Sequence, residues 1–289
     1  MVAPRPLNKT DPEEPSMRLA VLIDADNAQA AVIESLLAEV ARFGEATVKR
    51  IYGDFTSPTS SAWKKVLQKF AIKPVQQFAY TTGKNATDST LIIDAMDLLY
   101  TRKFGGFCLV TSDSDFTGLA MRIREEGLTV FGFGEQKTPA AFRNACHKFV
   151  FTEVLRSASR KEAGTGEGQG DAGEPARSNR KKKAKAAAAV APAPAATARE
   201  KLPFPKEFVL DALEQSCDEE GWAQLGTFGS YLTKLQPDFD SRNFGFKKLS
   251  DLVKAKTDLF ETEERQTPGS QARQLYVRPS PQVAAGGRE

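Results

Sequence analysis

The sequence predicts a two-part α/β and α+β protein. A mostly parallel sheet flanked by helices is expected over residues 17–155, and a small α+β unit over residues 201–278. Three observations carry this. Short apolar runs of strand length alternate with segments of helical spacing through the first block, the mark of strand–helix units around a parallel sheet. The second block has helical stripes followed by two alternating runs around a turn. Between them, residues 156–200 contain no Leu, Ile, Phe, Trp or Tyr. Such a segment cannot bury enough apolar surface to offset its chain entropy and is expected to be a disordered linker. Residues 1–16 and 279–289 are read as disordered tails.

In the first block, residues 18–24 form a short apolar run, as for a strand buried on both faces. Asn27 is placed to cap the next segment, where Ala31, Ile33, Leu36, Leu37 and Val40 recur at helical spacing before Gly44. Residues 46–52 read as a strand, 61–70 as a helix, and 72–78 as a strand despite Pro74. Residues 87–100 are helical, 106–111 a strand, and 116–126 a helix closed by Gly127. A strand at 128–133, a short helix at 139–146 and an edge strand at 148–152 complete the block. In the second block, Phe208, Leu210 and Leu213, then Leu225, Phe228, Tyr231, Leu232 and Leu235, give two helical stripes. A third helix is expected at 246–256. The runs 259–263 and 274–277, parted by Thr267-Pro268-Gly269-Ser270, read as a hairpin, which makes a winged helix-turn-helix plan.

Charge and composition narrow the function. The chain has 289 residues and a net charge of +3, too little for a uniformly basic nucleic-acid coat, so any basic footprint is local. The linker holds 10 Lys/Arg against 5 Asp/Glu, a net of +5 that exceeds the total and is focused at Arg180, Lys181, Lys182, Lys183 and Lys185. Two readings stay open for it: a solvated tether, or a salt-sensitive grip on nucleic-acid phosphates. Three cysteines without paired spacing argue against a disulfide scaffold, and one histidine against a multi-His metal site. The N-terminal residues are rich in proline and charge and lack the apolar core of a signal peptide, so a soluble cytoplasmic protein is expected.

In a parallel sheet function gathers at the carboxyl ends of the strands, and aspartates cluster there. Asp24 and Asp26 close the first strand, Asp113 and Asp115 follow the fourth, and Asp88 opens a helix. Residues two apart in extended chain face one side, so each Asp-x-Asp pair aims two carboxylates at one point. Carboxylates converging from separate loops repel one another unless a cation lies between them, and magnesium or manganese suits oxygen ligands. Each acid alone also fits a duller role: Asp88 complements a helix N-terminus, and Asp115 caps the helix at Phe116. Asp94 sits in the apolar stretch 91–99 and needs either a partner or the metal.

These residues resemble a known family. Leu22-Ile-Asp-Ala-Asp-Asn27, Tyr52-Gly-Asp-Phe55, Gly83-Lys-Asn-Ala-Thr-Asp88 with Ile93-Asp-Ala95, and Thr111-Ser-Asp-Ser-Asp-Phe116 are similar to the four signatures of the NYN family, the LabA-like branch of the PIN-like nucleases. Phe239-Asp-Ser-Arg-Asn-Phe-Gly-Phe-Lys-Lys-Leu-Ser-Asp-Leu-Val253 resembles the OST-type helix-turn-helix, or LOTUS, domain, a family associated with RNA binding and with partner binding. The resemblance implies a PIN-like Rossmannoid sheet and a ribonuclease that hydrolyses phosphodiester bonds with Mg²⁺ or Mn²⁺. It implies Asp24, Asp88 and Asp113 as metal ligands, with Asp115 completing the catalytic acids. Asp26, Asn27, Asn85, Ser112 and Asp94 would support them, while Asp54, on the Tyr-Gly-Asp signature, is open to a purely structural role. Lys84 is either a phosphate contact or an exposed loop lysine. Lys247 and Lys248 are the better RNA contacts of the second block, where Phe246, Trp222 and Tyr231 are expected to pack, and that block could instead dock a protein partner. His147 is expected to be structural. Two rivals remain: a non-catalytic RNA-binding adaptor, and a phosphatase of the haloacid dehalogenase type using Asp24-Ala-Asp26 as its nucleophile loop.

Overall fold

The computed structural model describes residues 16–56, 61–78, 86–156, 202–266 and 273–281. Its larger sheet is built on Arg18–Asp24 (β1), whose residues beyond Arg18 are all buried. Successive side chains alternate between faces. Ala20 and Leu22 join one core with Leu91, Ala95, Phe107, Phe116, Ile123 and Phe142, while Leu19, Val21 and Ile23 join another with Ile33, Leu36, Ile51, Trp63 and Cys108. A strand apolar on both sides must lie mid-sheet with helices above and below, and this one does.

The helices on the second face are Ile33–Val40 (α1) and Ser61–Phe70 (α2); those on the first are Ala86–Tyr100 (α3), Thr117–Glu125 (α4) and Ala140–Ala145 (α5). The other strands are Glu45–Gly53 (β2), Lys73–Gln76 (β3), Gly106–Val110 (β4), Thr129–Gly134 (β5) and Lys148–Phe151 (β6). Their order is β3-β2-β1-β4-β5-β6, and every pairing is parallel. The chain leaves β1 toward β2 on one side and leaves β4 toward β5 on the other. The loops after β1 and β4 therefore diverge and open a crevice at the carboxyl edge, where ligands of open parallel sheets bind.

Residues 202–281 form the smaller unit: helices Lys206–Glu214 (α6), Leu225–Leu235 (α7) and Leu249–Ala255 (α8), with Ala223–Gln224 (β7), Phe260–Gln266 (β8) and Arg273–Pro279 (β9) in an antiparallel sheet ordered β7-β9-β8. Val209, Leu213, Phe228, Leu232, Leu252, Phe260 and Val277 fill its core, with Phe246 and Tyr231 packed at its margin as expected. Gly245, at φ 93°, ends a 3₁₀ turn at Ser241–Phe244 in the left-handed conformation that glycine adopts without a Cβ clash. The start of α8 therefore falls three residues later than the periodicity suggested.

The unit seats itself on the outer edge of β6. The Phe149 amide, which points away from β5, donates to the Pro237 carbonyl at 2.9 Å. Arg143 of α5 pairs with the buried Asp238. Arg242 straddles Asp240 of its own loop and Glu39 of α1, meeting both Glu39 oxygens at 2.8 and 2.9 Å. Burial alone would raise the Glu39 pKa, but the hydrogen bonds and charge of Arg242 outweigh it and hold the carboxyl below its ordinary range.

One expectation needs correcting here. Asn27 does not cap a helix: a 3₁₀ turn at Ala30–Val32 precedes α1 with no side-chain cap, and the Asn27 amide is spent elsewhere.

The carboxyl edge is packed tightly. A Cβ on Gly134 would lie 2.5 Å from the Thr111 carbonyl oxygen and 2.7 Å from Thr138 Oγ1. Gly134→Ala should therefore cost about 1–3 kcal/mol, the usual penalty for overpacking. A urea titration of the full chain measures this; an unshifted first transition would show that the edge can yield.

Candidate active site

Asp24 is wholly buried at the end of β1. Three donors meet its carboxylate: the Asp26 amide at 3.0 Å, Asn27 Nδ2 at 2.7 Å, and Thr111 Oγ1, from the end of β4, at 2.8 Å. A buried charge needs such donors, and here they lock the carboxylate in one orientation. Thr111 also accepts from the Asp113 amide at 3.1 Å, so one hydroxyl ties the ends of β1 and β4 together.

Past Thr111 the chain turns into a 3₁₀ helix at Ser114–Phe116. Its N-cap is Asp113, whose carboxylate accepts from the Asp115 amide at 2.9 Å. Asp115 lies inside the turn, so the alternative reading of it as a helix cap falls away. Across the crevice, α3 packs on the same face as Leu22 and carries Asp88 in its first turn. Carboxylate oxygens of Asp88, Asp113 and Asp115 all lie within 4.8 Å of one another. Burial, then the charges of Asp24, Asp113, Asp115 and Asp26, push the Asp88 pKa up to about 6. Asp26 is raised by burial and by Asp24, with a hydrogen bond to Thr87 working the other way.

Asp94 found the partner it needed. Arg50 and Tyr52 of β2 both bond its carboxylate, and Asp94 is not among the three grouped acids. Burial, reinforced by Asp94, pushes the Tyr52 phenol well above its ordinary range. Ser112 Oγ accepts from the Glu135 amide at 2.9 Å, which ties the β4 loop to the end of β5. Asp54 accepts from Thr56 and Gln76 and holds its own turn. His147 Nδ1 accepts from the Val130 amide at 3.0 Å, a structural use as expected. Lys247 and Lys248 are exposed on the smaller unit. Lys84, Asn85, Arg180, Lys181, Lys182 and Lys183 lie outside the described residues. Tyr52, Thr87 and Thr111 lie inside the quoted signatures, but their partners, like that of Arg50, could not be read there, because they depend on segments far apart in the chain meeting.

The family model of the NYN domain matches residues 18–155, and that of the OST-HTH/LOTUS domain matches residues 200–271. The chain carries an NYN domain followed by an OST-HTH/LOTUS domain. The first belongs to the PIN-like, nuclease-type hydrolases, and the two domains together indicate RNA binding. No curated protein matches the chain. Among solved structures, an uncharacterized protein from Nitrosomonas europaea, solved in solution by NMR, is 64% identical over 32% of this chain and 89% of that chain, with a TM-score of 0.27. A protein of unknown function from Vibrio parahaemolyticus is 16% identical over 47% and 93%, with a TM-score of 0.41. A protein from Chromobacterium violaceum is 29% identical over 28% and 86%, with a TM-score of 0.23. Among the described residues, no helix is long and apolar enough to cross a membrane.

The geometry of the NYN domain tells against the phosphatase alternative. A nucleophile must reach its substrate, but Asp24 is buried, with Oδ1 held by the Asp26 amide and Oδ2 by Asn27 and Thr111.

The raised Asp88 pKa sets a stability dependence. Its folded pKa, about 6, lies above the 3.8 of an ordinary aspartate, so the folded state holds its proton more tightly than the unfolded chain. Stability from this group is full below about 3.8 and is lost as pH rises through about 6. Without divalent ions, Asp88→Asn should therefore melt higher than the parent at pH 8, with the gain gone near pH 4. Melting curves across that range test this; a gain independent of pH would mean the carboxylates do not repel.

Proposed function

We propose that this chain is a divalent-metal-dependent ribonuclease that hydrolyses RNA phosphodiester bonds at the aspartate cluster, with the OST-HTH/LOTUS domain as its RNA-binding module. The observation that carries this is the convergence of Asp88, Asp113 and Asp115 within 4.8 Å, at the crevice of an NYN domain. The donor set fits a hard cation: it is all oxygen and anionic, and its spread is close to the about 4 Å separating opposite ligands on one magnesium ion. Burial, then the charges of the neighbouring acids, raises Asp88, and a cation there would relieve that repulsion. Mg²⁺ or Mn²⁺ there would supply Lewis-acid charge to an attacking water and to the leaving oxygen.

The protein's own part is positioning. Asp88, Asp113 and Asp115 would hold the ion. Asp24, fixed by three donors, adds negative charge beneath them and fastens Thr111, which in turn fixes the backbone of Asp113. Asp26 borders the same field. This refines the expected ligand set: Asp24 acts from below, and Asp115 takes a place beside Asp88 and Asp113.

Substitutions separate the roles. Asp113→Asn should lower Mg²⁺- or Mn²⁺-dependent cleavage of single-stranded RNA by more than ~100-fold, the scale lost when even a group supporting a metal ligand is removed. The variant should remain folded, since an amide oxygen can still cap the turn at Asp115. Cleavage is followed on labelled RNA with folding checked by circular dichroism. Parent-like cleavage by both Asp113→Asn and Asp88→Asn would remove the catalytic assignment and leave an RNA-binding adaptor.

A further inference from the structure

Where the OST-HTH domain meets the sheet edge, a cleft of ≈ 280 Å³ is lined from both domains. Five of its side chains are basic, namely Arg42, Lys148, Arg242, Lys247 and Lys248, against two carboxylates, Glu39 and Asp240. Both carboxylates are already engaged by Arg242, and Arg42 adds a second contact to Glu39 at 3.1 Å. The five cations exceed the two carboxylates: Lys247 and Lys248 have no ion pair among the described residues, and Lys148, 5.2 Å over the Phe43 ring, shares with Arg242 the field of Glu39 and Asp240 without a salt bridge to either. The cleft continues past Gly229, Thr233 and Lys248 into a neighbouring hollow of ≈ 650 Å³ bordered by Lys234 and His147, whose lining holds no acid. Outside the linker the chain sums to −2, because the linker's +5 exceeds the total of +3. A basic track on a slightly acidic body is a local concentration, the footprint expected for a phosphate backbone.

The position of the cleft decides its role. Glu39 and Arg42 stand at the far end of α1, which runs from the carboxyl edge back toward the start of β2, and Lys148 is the first residue of β6. The cleft therefore opens at the amino-terminal edge, opposite the aspartates. The five residues of β4 span about 16 Å between those edges at ~3.3 Å per residue. No phosphate in the cleft can be the one cleaved.

From this we infer that the domain junction is a composite RNA-backbone site, remote from the aspartates, in which Lys148 and Arg42 of the NYN domain and Lys247 and Lys248 of the OST-HTH domain grip one strand together. The inference deepens the ribonuclease reading and rests on it for the identity of the polyanion. The Arg242 bridge makes the site composite, since it holds the two basic surfaces in register.

The test is binding of the full chain to a fluorescently labelled single-stranded RNA of about 30 nucleotides, long enough for several phosphate contacts, without divalent ions and across a salt series. The combined variant Lys148→Gln, Lys247→Gln and Lys248→Gln should bind about tenfold more weakly. It should also flatten the log–log salt slope by about 2, because each lost contact releases ~0.7 fewer counterions. Lys148→Gln alone should lower the slope by about 0.7. If it has no effect while the pair Lys247→Gln and Lys248→Gln does, the site belongs to the OST-HTH domain alone and the composite is overturned. It is equally overturned if the combined variant binds like the parent while serine at Arg180, Lys181, Lys182 and Lys183 abolishes the slope, which would place the grip in the linker. The assay needs no turnover, so a chain that binds as described yet cleaves normally as Asp113→Asn refutes the catalytic reading and leaves this one standing.

Discussion

A carboxylate taken out of water destabilises a fold by several kcal/mol unless donors meet its oxygens. Asp24 is such a group, and one of its three donors, Thr111, comes from another strand. That bond exists only when β4 lies beside β1 with Ile23 opposite Val110. The same register covers both apolar faces of β1 with helices, so the cost of a slip would be an orphaned charge as well as lost burial. From Thr111 the constraint passes outward. Its hydroxyl accepts the Asp113 amide, Asp113 accepts the Asp115 amide, and the two acids are set facing α3. The acidic crevice is thus assembled around one buried hydrogen bond, and the sheet and the site specify each other.

The fold was largely legible because its signals are local. An apolar run such as Leu19–Ile23 needs cover on both faces wherever it sits, and the alternation of strand and helix then leaves a parallel sheet as the natural solution. The paired acids were legible for the same reason, since Asp-x-Asp after a strand is a pattern within three residues. What escaped was a choice between neighbouring partners, or a meeting of two distant segments. Asn27 has the chemistry of a helix cap, but Asp24 three residues earlier offers its amide a charged acceptor instead. Asp113 rather than Asp115 caps the turn because the helical path begins at Ser114, two residues before Phe116, a difference periodicity cannot resolve. Asp94 looked like a stray acid in an apolar stretch until β2 brought Arg50 and Tyr52 against it. The two-residue β7 is too short to carry a period, and the docking of Arg242 on Glu39 joins positions 203 residues apart.

The two charged features of the molecule oppose each other in sign and in place. At the carboxyl edge, burial and the crowding of acids raise the Asp88 proton affinity. A polyanion approaching that edge meets repulsion, which a divalent cation would cancel. At the amino edge, basic side chains from two domains line a single cleft. One strand spanning both would experience attraction where no bond breaks and a neutralised surface where one does.

That separation matters for how rate and affinity divide. Contacts made equally in ground and transition state improve capture of the substrate without lowering the chemical barrier. A basic group beside the acids would do something different. It would pair with those carboxylates, as Arg50 pairs with Asp94, and spend the site's charge on a salt bridge. On the proposed reading, an RNA backbone held a sheet's height away would leave the acids free of such pairing. Their mutual repulsion would then favour a cation, while affinity would come from a surface whose two halves the Arg242–Glu39 contact joins.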